Sequence, residues 1–558
     1  MNKKVLPLAV GAASAVVMSA AHAAMYINER GTGESLIYPF YSAENGNNTL
    51  VNLANTTTGT KAVKVRILEA QNSQEVLDFN LYLSPQDHFS FSISATDEGG
   101  AKLVTGDNSC TVPAIPAEGV PFRNAKYVGD KLETKDDPAT AADESKNNFD
   151  NTGIGRTQVG YIEVIEMGQI DPTIKVPRID KNAKAASRIT AAAAIKHGAD
   201  GMPANCDILV DAWSTIAGVD GVWLAESKNA ATGGTGNSEF LANWAGGGLY
   251  GYATVINVPQ GASFGYDAIA VADHVAAGAT GSDMHYKPGD IEPNFTDLAF
   301  DTAAIVSVNG ASVTLDFDGD YAAAAVDRVQ ALNSLIMSSE VYNDYVTDTA
   351  IAATTDWLMS FPTKAFHVNA TEPVEPFSKL WDGQKACEPA NLSTVDREES
   401  APEVIPPGSA GPDFSPAPPG APAPAPGNDD VSLCYESTIV QFATESAAGT
   451  STVAVGVNAF LDAADGWGTI SLMPADLDTT LGFCGTDGNR LTLGDRTTPC
   501  DRSIDSGDAE LFGLPVVGFA VQKYVNGSAG GAGVLANYAM ATEHKSCVVG
   551  SGTAANDC

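Results

Sequence analysis

The sequence predicts a mainly β protein with α+β insertions, in which N-terminal and C-terminal antiparallel β-sandwich-like parts surround a mixed central region. Three observations carry this. Apolar and polar residues alternate over short segments near both ends of the chain. Gly (54) and Pro (30) break the chain into short pieces. Helical spacing is confined to three central segments, 181–196, 206–216 and 322–337.

Taken in order, residues 1–23 read as a secretory signal. Lys3 and Lys4 precede an apolar, small-residue run from Val5 to Met18, and Ala21-His22-Ala23 supplies the small-x-small cleavage pattern. That run is shorter than the roughly 20 residues a membrane span needs, and Pro7 interrupts it. Residues 24–115 form the N-terminal sandwich-like region. Val63, Val65 and Ile67 alternate with Lys64 and Arg66; Leu77, Phe79 and Leu81 with Asp78 and Asn80; Phe89, Phe91 and Ile93 with Ser90 and Ser92. Period two with one apolar face implies sheets buried on one side. Residues 116–386 form the central α+β region. A strand is expected over Val159–Glu166, a helix over Lys181–Lys196 between Asp180 and Gly198, and a second helix over Ala322–Met337, where Val326, Val329, Leu332 and Ile336 share a face. Residues 387–434 read as a Pro-rich linker or a disulfide-closed loop, since ten of the 30 prolines lie between 401 and 430. Residues 435–558 return to a C-terminal β region.

Charge and cysteine bound the function. Asp+Glu is 68 against Lys+Arg 31, a net charge of −37. Nucleic-acid binding needs a cationic face, so it is excluded as a function class. No later apolar stretch is long enough to form a transmembrane span. The eight cysteines, Cys110, Cys206, Cys387, Cys434, Cys484, Cys500, Cys547 and Cys558, lack any CxxC spacing and suit disulfides in an oxidising compartment. Their spacing leaves the connectivity open. Pairing of neighbours would give 110–206, 387–434, 484–500 and 547–558.

Four constellations could carry chemistry. Gly261-Ala262-Ser263-Phe264-Gly265 fits the nucleophile pattern G-x-S-x-G, although Tyr266 onward reads as a strand rather than the helix an elbow needs. Asp273, His274, Asp283, His285 and Asp290 gather imidazole and carboxylate in one stretch, at a spacing of no known ligand set. Asp316, Asp318 and Asp320 are the candidate calcium ligands. The same residues also fit a turn at Asp318-Gly319 with Asp320 capping the following helix. Glu163 and Glu166 share a strand, and Lys175, Arg178, Lys181, Lys184, Arg188 and Lys196 make the one basic stretch.

Several segments together resemble a family of exported Gram-negative bacterial proteins without an assigned activity: Gly33 to Tyr41, Val63 to Glu69, Leu77 to Pro85, Tyr161 to Gly168, Thr355-Asp356-Trp357, Phe361 to Lys364, Asp396 to Glu399, Phe414-Ser415-Pro416 and Gly513 to Phe519. The resemblance spans nearly the whole chain and implies no catalytic residues. The composition is also similar to that of surface-layer proteins. The expectation is an exported envelope or cell-surface structural protein, extracellular or periplasmic, assembling with itself into a lattice or filament with calcium. An adhesin or glycan-binding module is the alternative, with Trp223, Trp244 and Trp381 as stacking candidates, and a serine hydrolase using Ser263 is the second.

Overall fold

The alternation of Val63, Val65 and Ile67 turns these side chains to one face of the Thr60–Glu69 strand, where they meet Phe79 and Leu81 of Glu75–Leu83. A computed structural model describes residues 24–125, 153–173, 175–178, 186–216, 218–226, 246–277, 279, 284–308, 310–321, 323–369, 374–397, 430–450, 452–461, 463–473, 477–478, 483–486, 489–490, 502–506, 509–526 and 537–550. The first sandwich has a seven-stranded sheet in the order Tyr26–Ile27, Ile269–Ala272, Ser35–Ser42, Val159–Ile170, Thr60–Glu69, Glu75–Leu83, Cys110–Val112. Its six-stranded partner runs Ala262–Asp267, Leu249–Asn257, Asn47–Asn55, His88–Ala95, Ala101–Val104, Val120–Pro121. Every pairing in both sheets is antiparallel. The sandwich begun within 24–115 is therefore completed by strands from beyond it.

The expectation of one buried face needs correction for the seven-stranded sheet. Every residue of Ser35–Ser42 and Thr60–Glu69 is buried. The second face is covered by the short helices Ala191–Ile195 and Asp207–Trp213, by Met284, Phe295 and Phe300, and by Leu332 and Ile336 of helix Ala324–Ile336. The alternation leaves polar side chains under that cover and at the sheet's end, and each basic residue there is ion-paired: Lys61 with Glu166, Lys64 with Asp78, Arg66 with Glu75 and Glu163. Charge survives burial only where it is paired and hydrogen-bonded.

Of the helix expected over 181–196, residues 181–185 lie outside the described residues, and among the described ones only Ala191–Ile195 is helical, with the Thr190 hydroxyl accepting from the Ala193 N–H at 3.1 Å. Residues Ala186–Thr190 instead form a strand against Lys175–Arg178. The sheet's ladder of backbone hydrogen bonds overrides alanine's helix preference there. Helix Ala324–Ile336 matches expectation, burying Val329, Leu332 and Ile336.

A second sandwich has one sheet ordered Asp430–Leu433, Glu388–Asp396, Asp465–Ser471, Glu340–Val346, Lys545–Cys547. The other is ordered Ala454–Gly456, Ser437–Gln441, Ala353–Ser360, Val517–Tyr524, Tyr538–Glu543. Trp357, Tyr345, Phe442 and Phe361 fill its core, and the Trp357 Nε1–H donates to the Asp344 carbonyl at 3.1 Å. The two sandwiches meet over Phe40, Val159 and Phe264 from the first and Leu358, Ile439 and Phe519 from the second. The chain is thus mainly β, as the sequence predicts.

Cys110–Cys206 and Cys387–Cys434 are formed, with Cα separations of 5.3 and 3.7 Å. The first ties the edge of the seven-stranded sheet to the helix that covers it. The second closes the base of the Pro-rich segment, whose residues 398–429 lie outside the described residues. Cys500 and Cys558 also lie outside them, and with them the pairs 484–500 and 547–558. Among the described residues no helix is long and apolar enough to cross a membrane.

Candidate functional site: a loop cleft on the second sandwich

Antiparallel strands leave their connecting loops clustered at the ends of a sandwich, where short polar residues carry the turns. At one end of the second sandwich four such segments wall an open cavity of about 640 Å³. They are the link from Glu340–Val346 to Ala353–Ser360, the loop after Ser437–Gln441, the stretch before Asp465–Ser471, and the end of Val517–Tyr524. Phe442, Leu461 and Val525 give apolar wall; Thr347, Asn458 and Glu445 give polar wall.

Two lining residues stand out. Thr354 and Lys523 face each other across paired strands. Lys523 is 4% exposed, and its Nζ donates to Gln260 Oε1 at 3.0 Å and to the Ser446 carbonyl at 2.9 Å. An ammonium has three donors, so one is left over. The Thr354 hydroxyl is buried and makes no hydrogen bond. Burial pushes the Lys523 ammonium below its ordinary pKa, against the pull of Asp356 and Glu445. Below them Asp356 accepts from Ser446 Oγ at 2.5 Å and from the Ala448 N–H at 2.9 Å, and burial pushes its carboxyl up to about 6.

Ala352, also on the wall, holds a left-handed backbone with φ 46° and ψ 47°. An L side chain there costs roughly 1–2 kcal/mol, part of which glycine recovers. Ala352→Gly is expected to raise unfolding free energy by about 0.5–1 kcal/mol in urea titration, whereas a non-glycine conformation without strain would give a loss.

The other sequence candidates fall elsewhere. Ser263 lies exposed on the Ala262–Asp267 strand, directly after a hairpin turn from Leu249–Asn257. Hairpin, not strand-to-helix elbow, is its setting, and its side chain bonds no histidine. His274 is fully buried, stacked on Phe300 with ring centroids 3.8 Å apart, and its Nδ1 shares a proton with Ser35 Oγ at 2.7 Å. His285 is buried among Tyr82, Trp213 and Trp223, with Nε2 at 3.0 Å from the Tyr82 hydroxyl. Desolvation holds both imidazoles neutral, His274 pushed down to about 3. Asp290 contributes its carbonyl to Lys64 Nζ at 2.7 Å, and Asp283 lies outside the described residues.

Asp316, Asp318 and Asp320 are exposed around one turn. Asp316 Oδ1 accepts from the Asp318 N–H at 3.1 Å and the Thr302 hydroxyl at 3.2 Å. Asp327 accepts from the N–H groups of Gly319 and Tyr321 at 3.2 and 3.0 Å. The helix N-cap is Ala323, not Asp320, and it makes no side-chain cap bond. Among the described residues no group of three or more His, Cys, Asp or Glu side chains gathers as a metal site. Glu163 and Glu166, three apart on one strand, face opposite ways, one to Arg66 and the other to Lys61. Of the basic stretch, Lys196 is exposed, and Lys181 and Lys184 lie outside the described residues.

Trp223 and Trp381 are buried, so neither offers a ring for stacking, and Trp244 lies outside the described residues. Among the described residues the exposed tryptophan is Trp467, at 45%, on the outer face of Asp465–Ser471. The Thr354–Lys523 pair escaped sequence reasoning because it depends on strand pairing across some 170 residues. Its one local signal is a charged residue inside the apolar run from Val516 to Val525.

No family model, curated protein or solved structure matches this chain.

Proposed function

We propose that this is an exported protein of the Gram-negative envelope or cell surface that acts as a binding module, holding a neutral glycan in the loop cleft of the second sandwich. The observation that carries this reading is the open cavity of ligand size at the loop end of the second sandwich, behind one wall of which the buried Thr354 hydroxyl and Lys523 ammonium lie with hydrogen-bonding capacity unused. A saccharide presents hydroxyls to polar wall and a C–H face to apolar wall such as Leu461 and Val525. A net charge of −37 repels anionic ligands, which favours a neutral one. The formed disulfides favour an oxidising compartment.

Screening neutral oligosaccharides on an array, followed by calorimetry, tests the reading. Ala464→Trp, which places an indole in the cleft while leaving the Ala464 carbonyl to its Thr347 partner, should abolish binding. Thr354→Val should weaken binding by about 1 kcal/mol and leave folding equally or more stable, because it removes an unbonded buried hydroxyl. No bound glycan, or unchanged binding by Ala464→Trp, would overturn the reading.

A second reading is surface-layer-like assembly with other copies through calcium. It draws on the exposure of Asp316, Asp318 and Asp320 on one turn in a strongly acidic chain. Electron microscopy with calcium and then chelator tests it: an ordered array that dissolves on chelation supports it, and dispersed particles in both conditions sink it.

A further inference from the structure

Lys61 and Glu166 lie on adjacent strands of the seven-stranded sheet, and both side chains are 0% exposed. Lys61 Nζ is in direct contact with Glu166 Oε1. A register shift between Glu166 and Gly168 interrupts the ladder beside them. The second carboxylate oxygen, Glu166 Oε2, accepts the Gly247 N–H at 2.9 Å. Close by is a third acid. Glu34 is 6% exposed, its carbonyl accepts the Glu166 N–H at 2.8 Å, and its Oε2 accepts the Val275 N–H at 2.8 Å.

This arrangement resembles a reaction centre more than a plain ion pair. Burial pushes the Glu166 carboxyl above its ordinary pKa against the pull of Lys61, which eases passage of a proton onto the carboxyl group. Two neighbouring strands also hold the amine against the carboxyl group, which lowers the entropic barrier to condensation. A backbone N–H aimed at the oxygen that would carry negative charge is the usual stabiliser of a tetrahedral intermediate. Burial pushes the Glu34 carboxyl up to about 8, and the neighbouring Glu166 charge adds to the rise, so a proton-bearing acid lies within electrostatic reach of the pair.

We propose that Lys61 and Glu166 form an intramolecular isopeptide bond. The Lys61 Nζ lone pair attacks Glu166 Cδ, and the new oxyanion at Oε2 is held by the Gly247 N–H. The Cδ–Oε1 bond then breaks, and Oε1 leaves as water with the two protons given up by the lysine ammonium, one of them relayed through the Glu34 carboxyl. Ammonium plus carboxylate becomes amide plus one water, with no oxidant, reductant or cofactor. The product joins the Thr60–Glu69 and Val159–Ile170 strands covalently across 105 residues of chain.

Peptide mapping of the reduced, denatured full chain by mass spectrometry tests this. The expected result is a branched tryptic peptide containing Lys61 and Glu166, one water lighter than its two parts, with trypsin unable to cut after Lys61. Lys61→Arg, which keeps the positive charge, should fold with Cys110–Cys206 formed and yield only linear peptides. Glu34→Gln should fold and remain uncrosslinked, and a fully crosslinked Glu34→Gln chain would overturn the role given to that acid. An unmodified Lys61 peptide from folded wild-type protein overturns the bond itself, as does a water loss mapped to any other pair.

Discussion

Arg66→Met is expected to destabilise the protein by about 3–5 kcal/mol at pH 7.5, because it strands buried acids without their counter-charge. Arg66 Nε meets Glu75 at 3.1 Å and its Nη1 contacts Glu163, which is fully buried. Methionine matches the length of the arginine stem, so lost packing is small and the missing charge dominates. The pH dependence separates this cause from packing. Burial already pushes the Glu163 carboxyl up to about 7 even with Arg66 attracting its charged form. Removing the arginine pushes it higher, so the acid takes up a proton more readily and the penalty shrinks as pH falls. Urea unfolding at pH 7.5 and 5.5 should show the larger loss at the higher pH, the Glu163 share of the difference being about 0.8 kcal/mol. A loss equal at both values would assign the effect to packing and defeat the electrostatic account.

The second large effect is the pH profile of the wild type. Two sets of buried groups pull in opposite directions. Glu34, Glu163 and Asp356 have folded pKa values raised to about 8, 7 and 6 by burial. Groups raised in the folded state favour folding below their unfolded values, and that contribution is lost as pH rises through the folded ones. Stability should therefore increase as pH falls from 8 towards 6. His274, His285 and His367 are buried neutral, with His274 pushed down to about 3, His367 to about 4 and His285 lowered as well. Their contribution is complete above the unfolded value near 6.5 and is lost as pH falls through the folded values. Glu436, Glu75 and Glu166, also raised by burial, add to the acids, and His544, lowered to about 4, adds to the histidines, so the two sets offset one another between about pH 5 and 6 and the histidines win below that. Denaturant titrations from pH 4 to 8 should trace a broad maximum between about pH 5 and 6. Stability that rises steadily down to pH 4 would show that the histidines are protonated in the folded state.

What the sequence reveals is set by what is local. Val63, Val65 and Ile67, or Phe89, Phe91 and Ile93, announce strands because period two is written in adjacent residues. Val329, Leu332 and Ile336 announce a helix in the same way. Lys64 and Arg66 read as solvent-facing, and their burial depends on Asp78, Glu75 and Glu163 together with a cover of helices far along the chain. The helix expected across 181–196 shows the same limit, since strand pairing with Lys175–Arg178 decides the state of Ala186–Thr190. Two disulfides followed neighbour pairing because each joins cysteines adjacent in sequence order. The cleft was hidden altogether: Thr354 and Lys523 become partners only when the Ala353–Ser360 and Val517–Tyr524 strands align.

The order of strands in the seven-stranded sheet sets a timetable for the chain. Ser35–Ser42 and Thr60–Glu69 are near in sequence, yet Val159–Ile170 lies between them, and Ile269–Ala272 flanks the first. A polypeptide emerging amino end first, from a ribosome or a membrane pore, presents these two early strands long before their neighbour exists. Until residue 170 arrives each has an open edge, and until residue 272 arrives the sheet cannot close. Such long-range pairing folds slowly and leaves strand edges open to wrong partners. The early strands of the newly made chain therefore keep open edges until the Val159–Ile170 and Ile269–Ala272 strands dock.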